Sequence, residues 1–328
     1  MVRFPGSGFA FRSTLAVMLV ALLVHSCGGA SALERVDGDF WRYHVTIDLA
    51  SLDLSELNVS EIPSSFSGIE VAGTVTYEYL GPDNVTVGGS ANSVNVMAVS
   101  GDLVGSVDLI GLSVSAAIQG HIFESSEGQG TVKDDLTMWT NLTWGVGSFA
   151  YLKRYEARVI NLYSPPLMDG FDPESVVLGQ SWDETTEVRT IGMNVTTGAV
   201  VSDTNDSVEV HFAVASETEE VSVPAGEFTA YMVTASEAGG STVVYWWSEK
   251  AANFVKQETY FDNDTEPAET MVLEDYGKSS RTSILVYVSV GVIVLAVAMV
   301  ALGLVLLKRR PRREEPKPPP ELLQLPPT

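Results

Sequence analysis

Phe40-Trp41-Arg42-Tyr43-His44-Val45-Thr46-Ile47-Asp48 alternates residue by residue, with Trp41, Tyr43, Val45 and Ile47 on one side and Arg42, His44, Thr46 and Asp48 on the other. A period of two marks a half-buried β-strand, because successive side chains of an extended chain point to opposite faces. The same grammar recurs downstream. Strand signals run through residues 68–79, 85–87, 93–100, 103–107, 112–119 and 132–139, with a Gly-Pro-Asp-Asn reversal expected at residues 81–84. Residues 50–67 lack a clean period. Residues 151–161 read as a short strand or a helix, which Pro165-Pro166 would stop. Strand patterns return at 186–193, 208–214, 219–223, 228–235, 242–248 and 252–261, and almost nothing is a convincing long helix. The expected fold class is mainly β with minor α: antiparallel strands with one or two short helices covering a face.

Outward from this region the chain turns apolar at two places. Residues 284–307 contain no charged residue, His, Asn, Gln or Pro, and Lys308, Arg309 and Arg310 follow at once. As a helix of about 36 Å this run would cross a bilayer, so it predicts one transmembrane helix. The basic stop places the N-terminal part outside and the tail in the cytoplasm. At the other end, Arg3 and Arg12 precede the short apolar run 15–24, the layout of a secretory signal. Two readings of its end stay open: ordinary cleavage at Ala30-Ser31-Ala32, or lipidation of Cys27 within Val24-His25-Ser26-Cys27. The expected layout is a signal over 1–32, a first β-rich extracellular module over 33–170 and a second over 171–270. A linker over 271–283, the membrane helix over 284–307 and a Pro-rich basic tail over 308–328 complete it, and the polar, acidic stretch 266–280 reads as the connector to the membrane.

Charge and cysteine content exclude several classes. Residues 33–282 hold 11 Lys and Arg against 39 Asp and Glu, a formal charge of −28, compared with −23 for the whole chain. That field repels phosphate backbones, so no nucleic-acid partner is expected. Cys27 is the only cysteine, so no intrachain disulfide and no cysteine-based metal site is available. Six Asn-x-Ser/Thr sequons, at Asn58, Asn84, Asn141, Asn194, Asn205 and Asn263, all lie in the segment placed outside and predict a glycosylated surface domain.

Motifs for chemistry are sparse. The sequence has no HExxH, GxSxG or P-loop, and His44, His121 and His211 stand apart, each in or beside a strand pattern. No catalytic residue, metal or cofactor is assigned. The acidic clusters at Asp203 to Asp206 and Asp262 to Glu266 do not reproduce a calcium loop and read as solvated turns. The strongest aromatic feature is Tyr245-Trp246-Trp247. On a strand, Trp246 points opposite to Tyr245 and Trp247, so both faces must be covered, by core or by a hydrophobic ligand to which Phe254 would add.

Val221-Ser-Val-Pro-Ala-Gly-Glu-Phe228, then Tyr245-Trp246-Trp247-Ser and Asn253-Phe-Val-Lys256, resembles the V-P-A-G-x-F, Y-W and G-x-V-K signature of the periplasmic lipoprotein-carrier superfamily. It is also similar to segments in cell-surface proteins of archaea. Ala252-Asn253 stands where that pattern has a glycine. The resemblance covers residues 186–265 at most, and a parallel between Val85-Thr-Val-Gly-Gly-Ser and Val221-Ser-Val-Pro-Ala-Gly suggests a duplication. It implies a curved antiparallel sheet shaped like an incomplete barrel, helices across its concave side, and an acyl-chain ligand. Pro224 and Gly226 would make a tight turn between two strands. The expected function is a membrane-anchored extracellular binding or envelope protein holding a lipid or other hydrophobic ligand. The bilayer and envelope proteins are its expected partners. A passive adhesive glycoprotein and an ectoenzyme are the alternatives.

Overall fold

The structure, a computed structural model, describes residues 35–48, 70–107, 112–126, 130–144, 151–172, 175–237, 241–261 and 265–277. Twelve antiparallel strands run in chain order: β1 (Phe40–Asp48), β2 (Glu70–Val87), β3 (Ser90–Val107), β4 (Leu112–Ser125), β5 (Thr131–Trp144), β6 (Tyr151–Leu167), β7 (Ser181–Met193), β8 (Val200–Val223), β9 (Gly226–Glu237), β10 (Thr242–Ser248), β11 (Asn253–Tyr260) and β12 (Glu269–Gly277). Each pairs with the next, and β12 returns to β1, so the sheet closes on itself. Closure gives the strands on both sides of the seam a partner, which an open curved sheet cannot do.

The alternation at Phe40–Asp48 decides that closure. Trp41, Tyr43, Val45 and Ile47 are all buried, whereas Arg42, His44 and Asp48 are exposed. β1 takes β2 on one side, from Phe40↔Glu78 to Asp48↔Glu70, and β12 on the other, from Phe40↔Gly277 to Ile47↔Glu269. Two inner side chains then tie β1 across to the β10–β11 turn and to β11. Trp41 Nε1 donates to the Ala251 carbonyl (2.9 Å), and the Tyr43 hydroxyl donates to the Phe254 carbonyl (2.8 Å).

Four expectations are corrected by this architecture. The helix-covered incomplete barrel of the carrier resemblance is replaced by a closed all-β barrel in which no helix occurs among the described residues. The covering role falls to a loop. Residues 168–172 carry Phe171 to a 1% exposed position, and the Glu184 carboxylate holds the loop by accepting from the Met168 and Gly170 amides (2.8 and 2.7 Å). Second, the chain does not reverse at residues 81–84. β2 passes through them with a register shift between Tyr79 and Gly81, where Gly81 takes φ +107°, and the reversal falls at Gly88-Gly89. Third, residues 266–280, expected as a connector, contain β12: Met271 and Leu273 are buried while Glu274 and Asp275 are exposed.

The fourth correction concerns the membrane. Among the described residues no helix is long and apolar enough to cross one. The run 284–307 carried that whole expectation, and it lies outside the described residues, as do the signal, Cys27, Asn58, Asn263 and the tail. The membrane-anchored function, the bilayer as partner and the single-pass, surface localisation therefore have no support in the structure. What it defines is a closed barrel.

Inside, glycines set the curvature of the first half. Gly73, Gly101 and Gly120 occupy inner positions of β2, β3 and β4. A Cβ on Gly73 would collide with the Asp102 carbonyl, and one on Gly120 with the Asp135 carbonyl. The strands approach more closely than any side chain allows, as at a tight barrel bend. Gly73→Ala is expected to destabilise the fold by about 2–3 kcal/mol in urea unfolding, the usual cost of forcing atoms into a packed core. A change below about 0.5 kcal/mol would show that the bend relaxes freely.

Candidate binding site

Buried apolar side chains gather in two main clusters. The first gathers Trp41, Tyr43, Val45, Ile47, Tyr77, Leu136 and Met271 with Phe228 and Trp246; the second gathers Phe212, Val233, Tyr245, Trp247, Phe254 and Phe171. β10 thus feeds both, Trp246 to one and its neighbours Tyr245 and Trp247 to the other. Phe254 lies 4.9 Å from Tyr245 between ring centroids and 6.0 Å from Phe171, and Trp247 meets Phe171 edge-on at 6.4 Å. Trp246, 8% exposed, lies under the Lys256 ammonium at 4.5 Å and donates from Nε1 to Glu219 (2.9 Å). The four expected ligand-contacting residues are therefore packed against protein.

The other sequence-picked positions scatter. Val223↔Gly226 closes the β8–β9 turn around Pro224, with Gly226 at φ +131°. Asn84 and Asn205 are exposed on strands, Asn141 is half-buried on β5, and Asn194 sits in the β7–β8 turn, its Oδ1 accepting from the Thr197 amide. His44, His121 and His211 are exposed on β1, β4 and β8; among the described residues only His211 has a carboxylate within ion-pair distance, Asp183 at 2.6 Å. Among the described residues no three His, Cys, Asp or Glu side chains gather in a metal-binding group.

The chemistry lies instead on inward-facing polar positions. In the segment that leads into β1, the Arg35 guanidinium donates to Glu124 (2.7 Å) and stands over the Trp41 and Tyr79 rings, at 5.4 and 5.8 Å. Burial pushes the Glu124 carboxyl up, an effect Arg35 opposes. On the neighbouring wall, Asp134 is fully buried. It accepts from the Tyr163 hydroxyl (2.8 Å) and the Asn161 amide (3.1 Å), and Asn161 in turn accepts from Thr190 (2.8 Å). Burial raises its pKa to about 7 despite those donors.

The third polar group is on the seam between β11 and β12. Gln257, Thr259 and Glu269 are 2, 3 and 1% exposed, and Thr259 is directly opposite Glu269. Ile47 faces Glu269 from β1, and Tyr245 faces Gln257 from β10. Thr259 gives Glu269 one long hydrogen bond (3.4 Å), while Glu269 Oε1 and both polar atoms of Gln257 have no partner. Burial with so little compensation lifts the Glu269 pKa to about 8, so the group is mostly protonated at neutral pH. At one spot the wall thus offers a carboxylic acid, a carboxamide and a hydroxyl.

The sequence carried a faint signal for this group: Gln257 and Thr259 are polar residues in phase with the buried Val255. Glu269 carried none, lying in a stretch that reads as an acidic connector. Comparison of the chain with protein-family models, curated proteins and solved structures gives no match.

Proposed function

We propose that this protein is a binding protein rather than an enzyme, and that its barrel holds a small hydrogen-bonding molecule against Gln257, Thr259 and Glu269. One observation carries the reading: three polar atoms of two fully buried side chains lack partners on a wall where apolar side chains surround them. A buried polar atom left unpaired costs about 1–3 kcal/mol, so a molecule or a buried water supplying those bonds is stabilised there. The set recognises a compact neutral group. Gln257 presents a donor and an acceptor side by side, and protonated Glu269 adds a donor, the complement of an amide, carboxylic acid or hydroxylated ligand. The scattered, exposed histidines support binding without catalysis.

Native mass spectrometry of the full-length chain, released from mild detergent, tests this directly. A bound component of discrete mass is expected, lost on denaturation and absent from Gln257→Leu. If the wild type carries no added mass and Gln257→Leu is more stable by about 1–3 kcal/mol, the polar wall is merely unpaired or hydrated and the reading fails.

A further inference from the structure

β6 overhangs its neighbour. It pairs with β5 along its length, from Trp144↔Tyr151 to Thr131↔Leu167, but its ladder with β7 begins only at Arg158↔Met193. Residues 151–157 therefore run past the β7–β8 hairpin, and no described strand forms a ladder with them on that side. A cavity of about 220 Å³ opens where the overhang begins, between residues 154–159 of β6, residues 192–194 and Val201. Apolar side chains border the same rim: Leu152 is 62% exposed, Val200 58% and Val201 36%. An exposed strand edge flanked by apolar groups is a template for another strand.

We propose that a second copy of this chain docks there, β6 against β6, across a two-fold axis at Tyr155. The edge is complementary to itself. An antiparallel pair centred on Tyr155 puts Arg154 of one copy opposite Glu156 of the other, and the symmetry repeats the contact. Both side chains are exposed, and among the described residues Arg154 uses only its Nε, donating to Asn141 Oδ1 (3.0 Å). Centring the pair elsewhere loses that match. Tyr155 has interactions of its own within the chain and contributes only its place on the axis. The same alignment ends each short ladder with Leu152 beside the partner's cavity, bordered by Met193 and Val201. Net charge of −23 opposes association at long range, but at physiological salt charges beyond about 8 Å are screened while facing pairs are not. The contact is small, so the dimer is weak. Asn141 and Asn194 flank the edge, and a glycan on either would stand in the second copy's place.

Sedimentation of the full-length chain in mild detergent at 0.15 M salt, with detergent mass subtracted, tests the pairing. A monomer–dimer equilibrium is expected. Arg154→Glu and Glu156→Arg, which face like charges across the axis, each weaken it by roughly tenfold, and the double exchange Arg154→Glu/Glu156→Arg restores it to within about threefold. Both positions are on the surface, and unchanged melting temperatures confirm that the three variants fold. A wild type monomeric at all concentrations, a dimer indifferent to these reversals, or glycans occupying Asn141 or Asn194 on the native chain would each overturn the proposal.

Discussion

Trp247→Ala lowers the unfolding free energy by about 4 kcal/mol and the melting temperature by roughly 10 °C; this is the largest packing effect expected of one residue here. The indole is 1% exposed and sits among Phe171, Tyr231 and the second core cluster. Truncation removes its burial and leaves a cavity whose lining cannot collapse, because β9, β10 and β11 are locked in one ladder and the Phe171 loop is held by Glu184. Trp246→Ala is the internal comparison. Trp246 faces the other way, keeps some exposure and contacts the Lys256 ammonium and Glu219, so its loss costs about half as much. Chemical denaturation with tryptophan-independent detection separates the two. If Trp247→Ala costs less than about 1 kcal/mol yet lowers the affinity for an apolar probe, these rings line an open cradle instead of a filled core.

The strand grammar was legible and the closure was not. At residues 40–48 every other residue is apolar and buried, because a strand with one face to the core and one to water must alternate. β12 obeys the same rule, but three of its nine residues are acidic, Glu269 buried and Glu274 and Asp275 exposed, so charge masked the period of Met271 and Leu273. Without β12 the sheet reads as open, and an open sheet with exposed edges calls for covering helices. Gly81-Pro82 illustrates a second limit: the pair favours a turn locally, yet the β3 ladder from Val87↔Ser90 to Tyr79↔Met97 carries β2 through it as a bulge. The aromatic triplet announced that both faces of β10 are covered. What covers them is set by strands far apart in sequence, and no local pattern encodes it. The unpaired polar wall needs Gln257 and Glu269 brought to diagonal positions on neighbouring strands, which only the β11–β12 register does.

Glu269→Gln is expected to flatten the alkaline side of the stability profile. The sign follows from the protons bound. The Glu269 carboxyl titrates near 4.5 when solvated and near 8 when folded, because burial disfavours its charged form and Thr259 compensates only in part. Between those values the folded chain holds a proton that the unfolded chain has released, so stability is fully present below about pH 4.5 and is lost as pH rises through about 8. The full loss is about 5 kcal/mol, at roughly 1.4 kcal/mol for each pH unit. Asp134 acts with the same sign, but its folded value near 7 ends its contribution earlier. The interval from pH 7 to 8.5 therefore isolates Glu269: the wild type keeps losing stability there, and Glu269→Gln, neutral and nearly isosteric, levels off. At pH 8.5 the variant should be the more stable by about 4 kcal/mol, and at pH 4.5 the two should agree to within about 1 kcal/mol. Urea titrations at these values decide it. Parallel profiles for the two proteins above pH 7 would mean that Glu269 is ionised and solvated in the folded barrel, which would also remove the protonated donor from the proposed binding wall.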